Sequence, residues 1–319
     1  MNWKRIAISL AVLVTSAPFG AHAFPDKPIR MVVPYSAGGG ADNTARVVAQ
    51  KLGEILGQTV VIDNKPGAGG VIGADAVAKA SPDGYTVLYD ASAFAVNGAL
   101  RKLPFDPVGD FIPISLVATA PQILVVPSNA PYKTLSEFIA AAKKSPGKLT
   151  YASAGAGTGS YLAAEMFNEQ AKIELLHVPY KGGAPALTDV MGGQVAAYFG
   201  NTASTLQYVT GGRLRALAVT SKARMKALPN TPTLAESGMP DYEVLEWNGV
   251  FLPKGTPADR VQAIASAVQK AIADPGVRAK LQLAGLDPVG NSPQAFKAFL
   301  QTESARWHGL VKSRGIRVE

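Results

Sequence analysis

Two glycine-rich turns constrain this chain more than any other feature. They are Tyr35-Ser36-Ala37-Gly38-Gly39-Gly40-Ala41-Asp42 and Ser153-Ala154-Gly155-Ala156-Gly157-Thr158-Gly159-Ser160, each set between an apolar strand pattern and a helix pattern. A helix N-terminus carries unpaired amide donors and a partial positive charge, and glycine lets the backbone come close to what those amides bind. Two such junctions in one chain are suited to gripping one anionic group from two sides. For the first turn this requires at least one of Gly38, Gly39 and Gly40 at positive φ.

The N-terminus suggests where the chain works. Lys4 and Arg5 precede an apolar run over residues 6–14, and Ala21-His22-Ala23 supplies small residues at both ends of an A-x-A site. That is the pattern of a secretory signal cleaved before Phe24, so residues 1–23 are set apart from the fold. The apolar run is far shorter than the roughly 20 residues a membrane span needs. Cysteine is absent from all 319 residues, which excludes disulfides, thiolate metal sites and thiol catalysis and leaves the core alone to hold the fold. With 47% hydrophobic residues over nearly this whole length, the core is large enough, and two lobes are expected rather than one. The formal net charge of +8 becomes +6 without Lys4 and Arg5 and favours small anions by weak steering. The basic residues are scattered, with no run and no interleaved aromatics, so nucleic acid is not an expected partner.

Strand and helix patterns alternate. Strands are expected over residues 29–34, 59–62 and 85–89, with helices over 42–56, where Ala45, Val48, Ala49, Leu52 and Leu56 recur at helix spacing, and over 71–79. Asp42 is the expected N-cap of the first helix. This β-α-β-α-β order predicts a parallel sheet covered by helices. The pattern restarts with strands over 122–126, 149–152, 177–180, 195–199 and 214–219 and helices over 135–144, 160–170 and 185–191. The extended stretches 114–122 and 243–252 read as two connections through a hinge, and the mostly helical residues beyond 257 as a return to the first lobe. The expected fold is therefore α/β with two lobes: residues 24–120 begin lobe 1, 121–247 form lobe 2, and 248–319 complete lobe 1. Ligands of open α/β sheets bind beyond the carboxyl ends of the strands, so both glycine turns should face one cleft.

Several motifs together resemble one family. They are residues 28–39 (Pro-Ile-Arg-Met-Val-Val-Pro-Tyr-Ser-Ala-Gly-Gly) with Asp42 and Arg46, Asn64-Lys65-Pro66-Gly67-Ala68-Gly69-Gly70, Pro82-Asp83-Gly84-Tyr85, Thr158, Pro179-Tyr180-Lys181-Gly182, and residues 214–220 with Pro232-Thr233 and Glu236-Ser237-Gly238. The chain resembles, from Phe24 to its C-terminus, the Bug family of periplasmic solute receptors of tripartite tricarboxylate transporters. The resemblance implies a type II periplasmic binding-protein fold, two lobes closing on a carboxylated solute, delivery to integral membrane transporter subunits, and no catalysis. Carried onto matching positions, it implies that the backbone amides of Tyr35, Ser36, Ala37, Gly38, Gly39, Gly40 and Asp42 hold one carboxylate. The second turn, Ser153 with Gly157, Thr158, Gly159 and Ser160, would grip the other end of the ligand, with the Thr158 hydroxyl donating. Asn201 and Trp247 lie where the family lines its cleft. One position departs from the family pattern: Tyr161 stands where the family commonly has histidine.

Other chemistry finds little support. Residues 67–73 superficially resemble a dinucleotide fingerprint but lack the G-x-G-x-x-G spacing and follow Lys65-Pro66. His177 and His308 lie far apart without ligand partners at metal spacing, so no metal or other cofactor is expected. An exported hydrolase is the competing class, yet Ser153 lacks the G-x-S-x-G elbow, since Tyr151 stands at its first position. A structural or adhesive protein would have no use for the glycine-lined turns. The solute would be a di- or tricarboxylate, an aromatic carboxylate or an acidic amino acid, with Tyr35, Tyr161 and Trp247 making a flat ligand reasonable, and the receptor would act as a monomer.

Overall fold

Short apolar runs with no alternation belong in a sheet covered on both faces. That is how β1 (Ile29–Val33) sits, parallel to β2 (Val60–Asn64) on one side and β3 (Thr86–Ala91) on the other. This computed structural model describes residues 24–314, so the expected signal segment lies outside the described residues. Between β1 and β2 runs α1 (Gly40–Leu56), which buries Ala45, Val48, Ala49 and Leu52 against the sheet and ends at Gly57. Gly57 adopts φ 68° and donates its N–H to the Gly53 carbonyl, closing the helix with a left-handed residue. The stretch that mimics a dinucleotide loop forms a 3₁₀ turn (Ala68–Gly70) leading into α2 (Val71–Ala78). After β3 the chain enters α3 (Ala93–Leu100), an apolar helix whose sequence has no amphipathic stripe to announce it.

The chain then crosses into its second half along β4 (Phe111–Pro127). This 17-residue strand pairs antiparallel with β9 (Leu245–Pro253) up to Pro121, then from Gln122 onward with β7 (Ala197–Asn201) and largely with β8 (Leu214–Val219). The second parallel group consists of β5 (Thr150–Ser153), β6 (Leu176–Pro179) and β7, with β5 in the middle. Around it pack α4 (Leu135–Lys144), α5 (Gly159–Ala171), α6 (Gly183–Met191) and α7 (Thr202–Thr210). The strand order is β2-β1-β3-β9-β4-β7-β5-β6. Both segments read as hinge connections are thus strands, and they hydrogen-bond to each other.

The C-terminal part comprises α8 (Ala258–Ala273), α9 (Pro275–Leu283), the two-residue strand β10 (Asp287–Pro288) against β4, and α10 (Pro293–Arg314). Ile264, Val268 and Ile272 of α8 join the core beneath β1 and α1. Each such fully buried aliphatic side chain is worth about 1.5–3 kcal/mol of transfer free energy. Helix α10 does more than return to the first lobe. Its Phe296 and Leu300 pack with Phe251 and Trp247, whereas its Trp307 is buried in the second lobe's core with Leu124, Phe138 and Phe167.

Candidate ligand cleft between the lobes

The cleft lies where β4 exchanges its first partner for its second, and four helices begin at its wall. Its lining includes Gly39, Gly40 and Ala41 at the start of α1, Thr158, Gly159 and Ser160 at the start of α5, Gly183 at the start of α6, and the α7 N-cap Asn201. The first intrahelical bonds run from the Asn43 N–H to Gly39 and from the Leu162 N–H to Thr158. The Gly40 and Ala41 amides at the start of α1 and the Gly159 and Ser160 amides at the start of α5 therefore have no intrahelical acceptor and can bond an anion. Ala91, Gln122, Ala154, Tyr35, Tyr198 and Glu246 complete the lining, which contains no Lys, Arg or His.

The lobes touch across this cleft. The Arg101 guanidinium donates to the Ala156 carbonyl at 2.8 Å on one rim, and Ser36 packs against Gly182 on the other. Only about 40 Å³ stays free inside, room for a few water-sized groups, so a solute must enter by parting the lobes.

The first turn is braced from behind. The Asp42 carboxylate accepts from the Gly38 N–H at 2.8 Å, from Arg46 Nε at 2.8 Å and from Asn64 Nδ2 at 2.9 Å. Burial pushes its pKa up, but these donors together outweigh burial and hold it below the ordinary aspartate value. Asp42 is thus neither N-cap nor cleft residue: α1 begins two residues earlier, with Gly39 as N-cap. Gly38 supplies the positive φ, 75°, and with Ala37 is solvent-exposed outside the lining. Tyr35 reaches the cleft and donates its hydroxyl to Asp90 at 3.0 Å.

The second turn is knitted internally. The Thr158 hydroxyl donates to the Gly155 carbonyl at 2.7 Å and lies 2.9 Å from Ser160 Oγ, which accepts from the Ala154 N–H. Its proton is spent inside the turn, so the expectation that it donates to the ligand gives way to a role in shaping the loop. Thr158→Val is expected to lower unfolding stability by about 1 kcal/mol while changing ligand affinity less than about threefold, measured by denaturant unfolding and calorimetry. Ser153 is fully buried and meets His177 Nε2 at 2.7 Å. Gly157 packs toward Asn97 and Leu100 of α3 instead of lining the cleft.

Two aromatic expectations are corrected. Trp247 is 1% exposed and points to the opposite face of β9, against Phe296 and Phe299, with its Nε1 donating to Glu303. Strand residues alternate between faces, so with Trp247 in the core its neighbour Glu246 faces the cleft. Tyr161 packs at a tilt against His177, ring centroids 4.9 Å apart, and is also outside the lining. A flat ligand held between aromatic rings has lost two of its three proposed partners. Gln122, Tyr198, Gly183 and Glu246 were not anticipated. The signal for two of them was present in the sequence, since Gln122 is the lone polar residue of an apolar run and Glu246 directly precedes the tryptophan.

Buried acids form the floor. Glu246 Oε1 accepts from the Ser92 hydroxyl at 2.8 Å and the Ser92 N–H at 3.2 Å, and its Oε2 lies 3.4 Å from Gln122 Nε2. Burial pushes Glu246 up to about 7, against the Ser92 bonds that pull it down. Asp90, equally buried, is also pushed up to about 7, the bonds from the Ala91 N–H and Tyr35 offsetting part of the effect.

A family model described as Tripartite tricarboxylate transporter family receptor, TctC, matches residues 44–316. The chain belongs to the TctC family. Over its full length and the full length of the relative it is 36% identical to protein BugT of Bordetella pertussis. Among solved structures it is similar to the periplasmic binding protein BugD, with TM-score 0.90 and 38% identity over 93% of this chain and 100% of that one. A Rhodopseudomonas palustris protein solved with adipate aligns with TM-score 0.89 and 34% identity over 92% of this chain and 99% of that one. MatC from the same organism, solved with bound malate, gives 0.85 and 32% over 90% and 100%. The two lobes are thus those of a periplasmic binding protein, and the TctC family and its solved neighbours are binding proteins.

Proposed function

We propose that this TctC-family chain is an exported receptor that captures a small carboxylated solute between its lobes and delivers it to the integral membrane subunits of a tripartite tricarboxylate-type transporter. The observation that carries this reading is the convergence of the α1 and α5 N-termini on one cleft whose lining has no cationic side chain. Backbone amides at the helix starts then supply positive potential to an anion there. Each charge-assisted bond contributes roughly 1.5–3 kcal/mol, so three or four suffice for the approximately 8 kcal/mol of micromolar binding after the cost of ordering. Relatives bound to adipate and to malate support the same ligand class. Closing the lobes brings the second set of amides to the ligand and changes the surface that a membrane partner meets. The receptor acts as a monomer in the periplasm, with residues 1–23 removed before Phe24 and residues 24–120, 121–247 and 248–319 forming its two lobes.

Hydrolysis finds one suggestive contact, Ser153 with His177. Ser153 is buried from solvent, and burial holds His177 down at about 4, so the pair is a packed hydrogen bond out of reach of a substrate.

A thermal-shift screen of about a hundred carboxylates tests the proposal, because a ligand at a hundred times its Kd raises stability by about 2.7 kcal/mol. The best ligand's methyl ester or primary amide is expected to bind at least tenfold more weakly by calorimetry. Equal affinity of acid and amide would sink the amide-site reading.

A further inference from the structure

A cavity far larger than the free space of the cleft lies elsewhere on the molecule. It is a groove of about 780 Å³ between α3, the first residues of β4 and α10, and it shares no lining residue with the cleft. Lys297, Leu300, Ser304 and His308 recur on α10 at three- and four-residue steps, so they border the groove as one row. Lys297 and His308 are thereby about 16 Å apart along the helix axis, at 1.5 Å per residue. The apolar wall is recessed: Phe94, Phe111 and Leu300 line it yet are only 6%, 5% and 9% exposed. Of the large apolar side chains exposed on the described surface, Val108 alone borders it. A protein partner needs a broad face, roughly 800 Å² on each side, whereas this recess offers depth. Its volume is that of a small-molecule pocket. The lining has no Asp or Glu, and Lys297 makes no ion pair among the described residues. The charge of the groove therefore complements an anion.

We propose that this groove is a second ligand site, which takes a single-chain amphiphile with one carboxylate: an alkanoate long enough to follow α10 from Lys297 towards His308. The Lys297 ammonium meets the carboxylate, and the polymethylene chain covers the faces of Phe94, Phe111 and Leu300 that water otherwise reaches. Gly98 of α3 leaves the floor open. A Cβ there would meet Leu103, Pro107 and His308 no closer than 3.9 Å, so the space that a side chain could fill is left to the ligand. The site stands apart from the carboxylate-receptor reading, because none of its residues belongs to the cleft.

The test titrates dodecanoate, below its micelle concentration, into the protein by calorimetry, with dodecylammonium as the control for charge and acetate as the control for the chain. One dodecanoate is expected per protein, bound ten or more times tighter than either control. Gly98→Leu fills the floor and is expected to weaken dodecanoate at least tenfold. Lys297→Gln is expected to bring dodecanoate to within threefold of dodecylammonium. Gly40→Val, which sets a side chain against Asn201 in the cleft, is expected to leave dodecanoate within threefold of wild type. Absence of saturable binding, equal binding of dodecylammonium, or indifference to both groove variants overturns the proposal. So does loss of dodecanoate in Gly40→Val, which would put the chain in the cleft. Retention on anionic phospholipid vesicles without binding of free dodecanoate overturns it as well, since this face would then meet a bilayer. Lys297 is exposed, so its variant and the charge comparison decide the matter even where Gly98→Leu does not fold.

Discussion

Gly40→Val is expected to weaken ligand binding by at least a hundredfold while the unliganded protein melts within several degrees of wild type. A Cβ at Gly40 would lie 2.1 Å from Asn201 Oδ1 and 2.8 Å from Asn201 Cβ, contacts too short for any packed structure. Gly40 belongs to the first lobe and Asn201 to the second, so the clash exists only when the lobes are closed. The open protein escapes it, and the cost appears in closure instead of folding. A hundredfold loss corresponds to about 2.7 kcal/mol, within the range that overpacking imposes. Calorimetry and ligand-induced thermal shift read the effect, and small-angle scattering should show the variant more extended with ligand than wild type. Undiminished ligand response in Gly40→Val would mean that the two helix starts need not approach each other to bind. The steric requirement thus falls on Gly40 more than on Gly39, which has φ −73° and whose nearest neighbour to an added Cβ is 3.2 Å away.

The unliganded protein is expected to lose on the order of 3 kcal/mol of unfolding free energy between pH 6 and pH 8. Asp90 and Glu246 are both pushed up to about 7 in the fold, chiefly by burial, while in the unfolded chain they titrate near 4. Between those values the native state holds more protons than the unfolded state, so stability falls as pH rises and levels off once both acids are ionised above about pH 7 to 8. His177 works in the other direction. Burial lowers it to about 4, so its contribution is lost as pH falls below about 6.5 and does not account for a decline above that point. Denaturant titrations at several pH values measure the slope, and Glu246→Gln is expected to flatten it by about half. A wild-type stability that is level or rising from pH 6.5 to 8 would show that both acids are ionised in the native protein without penalty.

Much of the architecture was legible in the residues. The runs read as strands at 29–34 and 85–89 and the periodic helix read over 42–56 specify local structure through hydrophobic period, and with bounds shifted by a residue or two they folded as β1, β3 and α1 into the parallel group that their alternation implies. Both glycine turns were visible as helix starts. Helices α3 and α7 were not, because Ala93–Leu100 is apolar apart from Asn97 and Gly98 and Thr202–Thr210 is largely polar and short, so neither carries a clear stripe.

By itself the sequence determined the class of structure, the two amide-bearing turns and the family, all of which depend on local spacing and on motifs read along the chain. Tertiary structure alone decided which atoms of those turns face the ligand. Thr158 turned its hydroxyl onto the Gly155 carbonyl, which also accepts the Thr158 N–H, and Asp42 turned away because Gly38, Arg46 and Asn64 surround it. It also decided the floor. Gln122 and Glu246 stand more than a hundred residues apart and meet only because β4 changes partner at Pro121 and β9 crosses beside it. A long-range pairing of this kind has no local period or motif, so its chemical consequence, a buried acid facing two helix N-termini, arises only when both strands are placed.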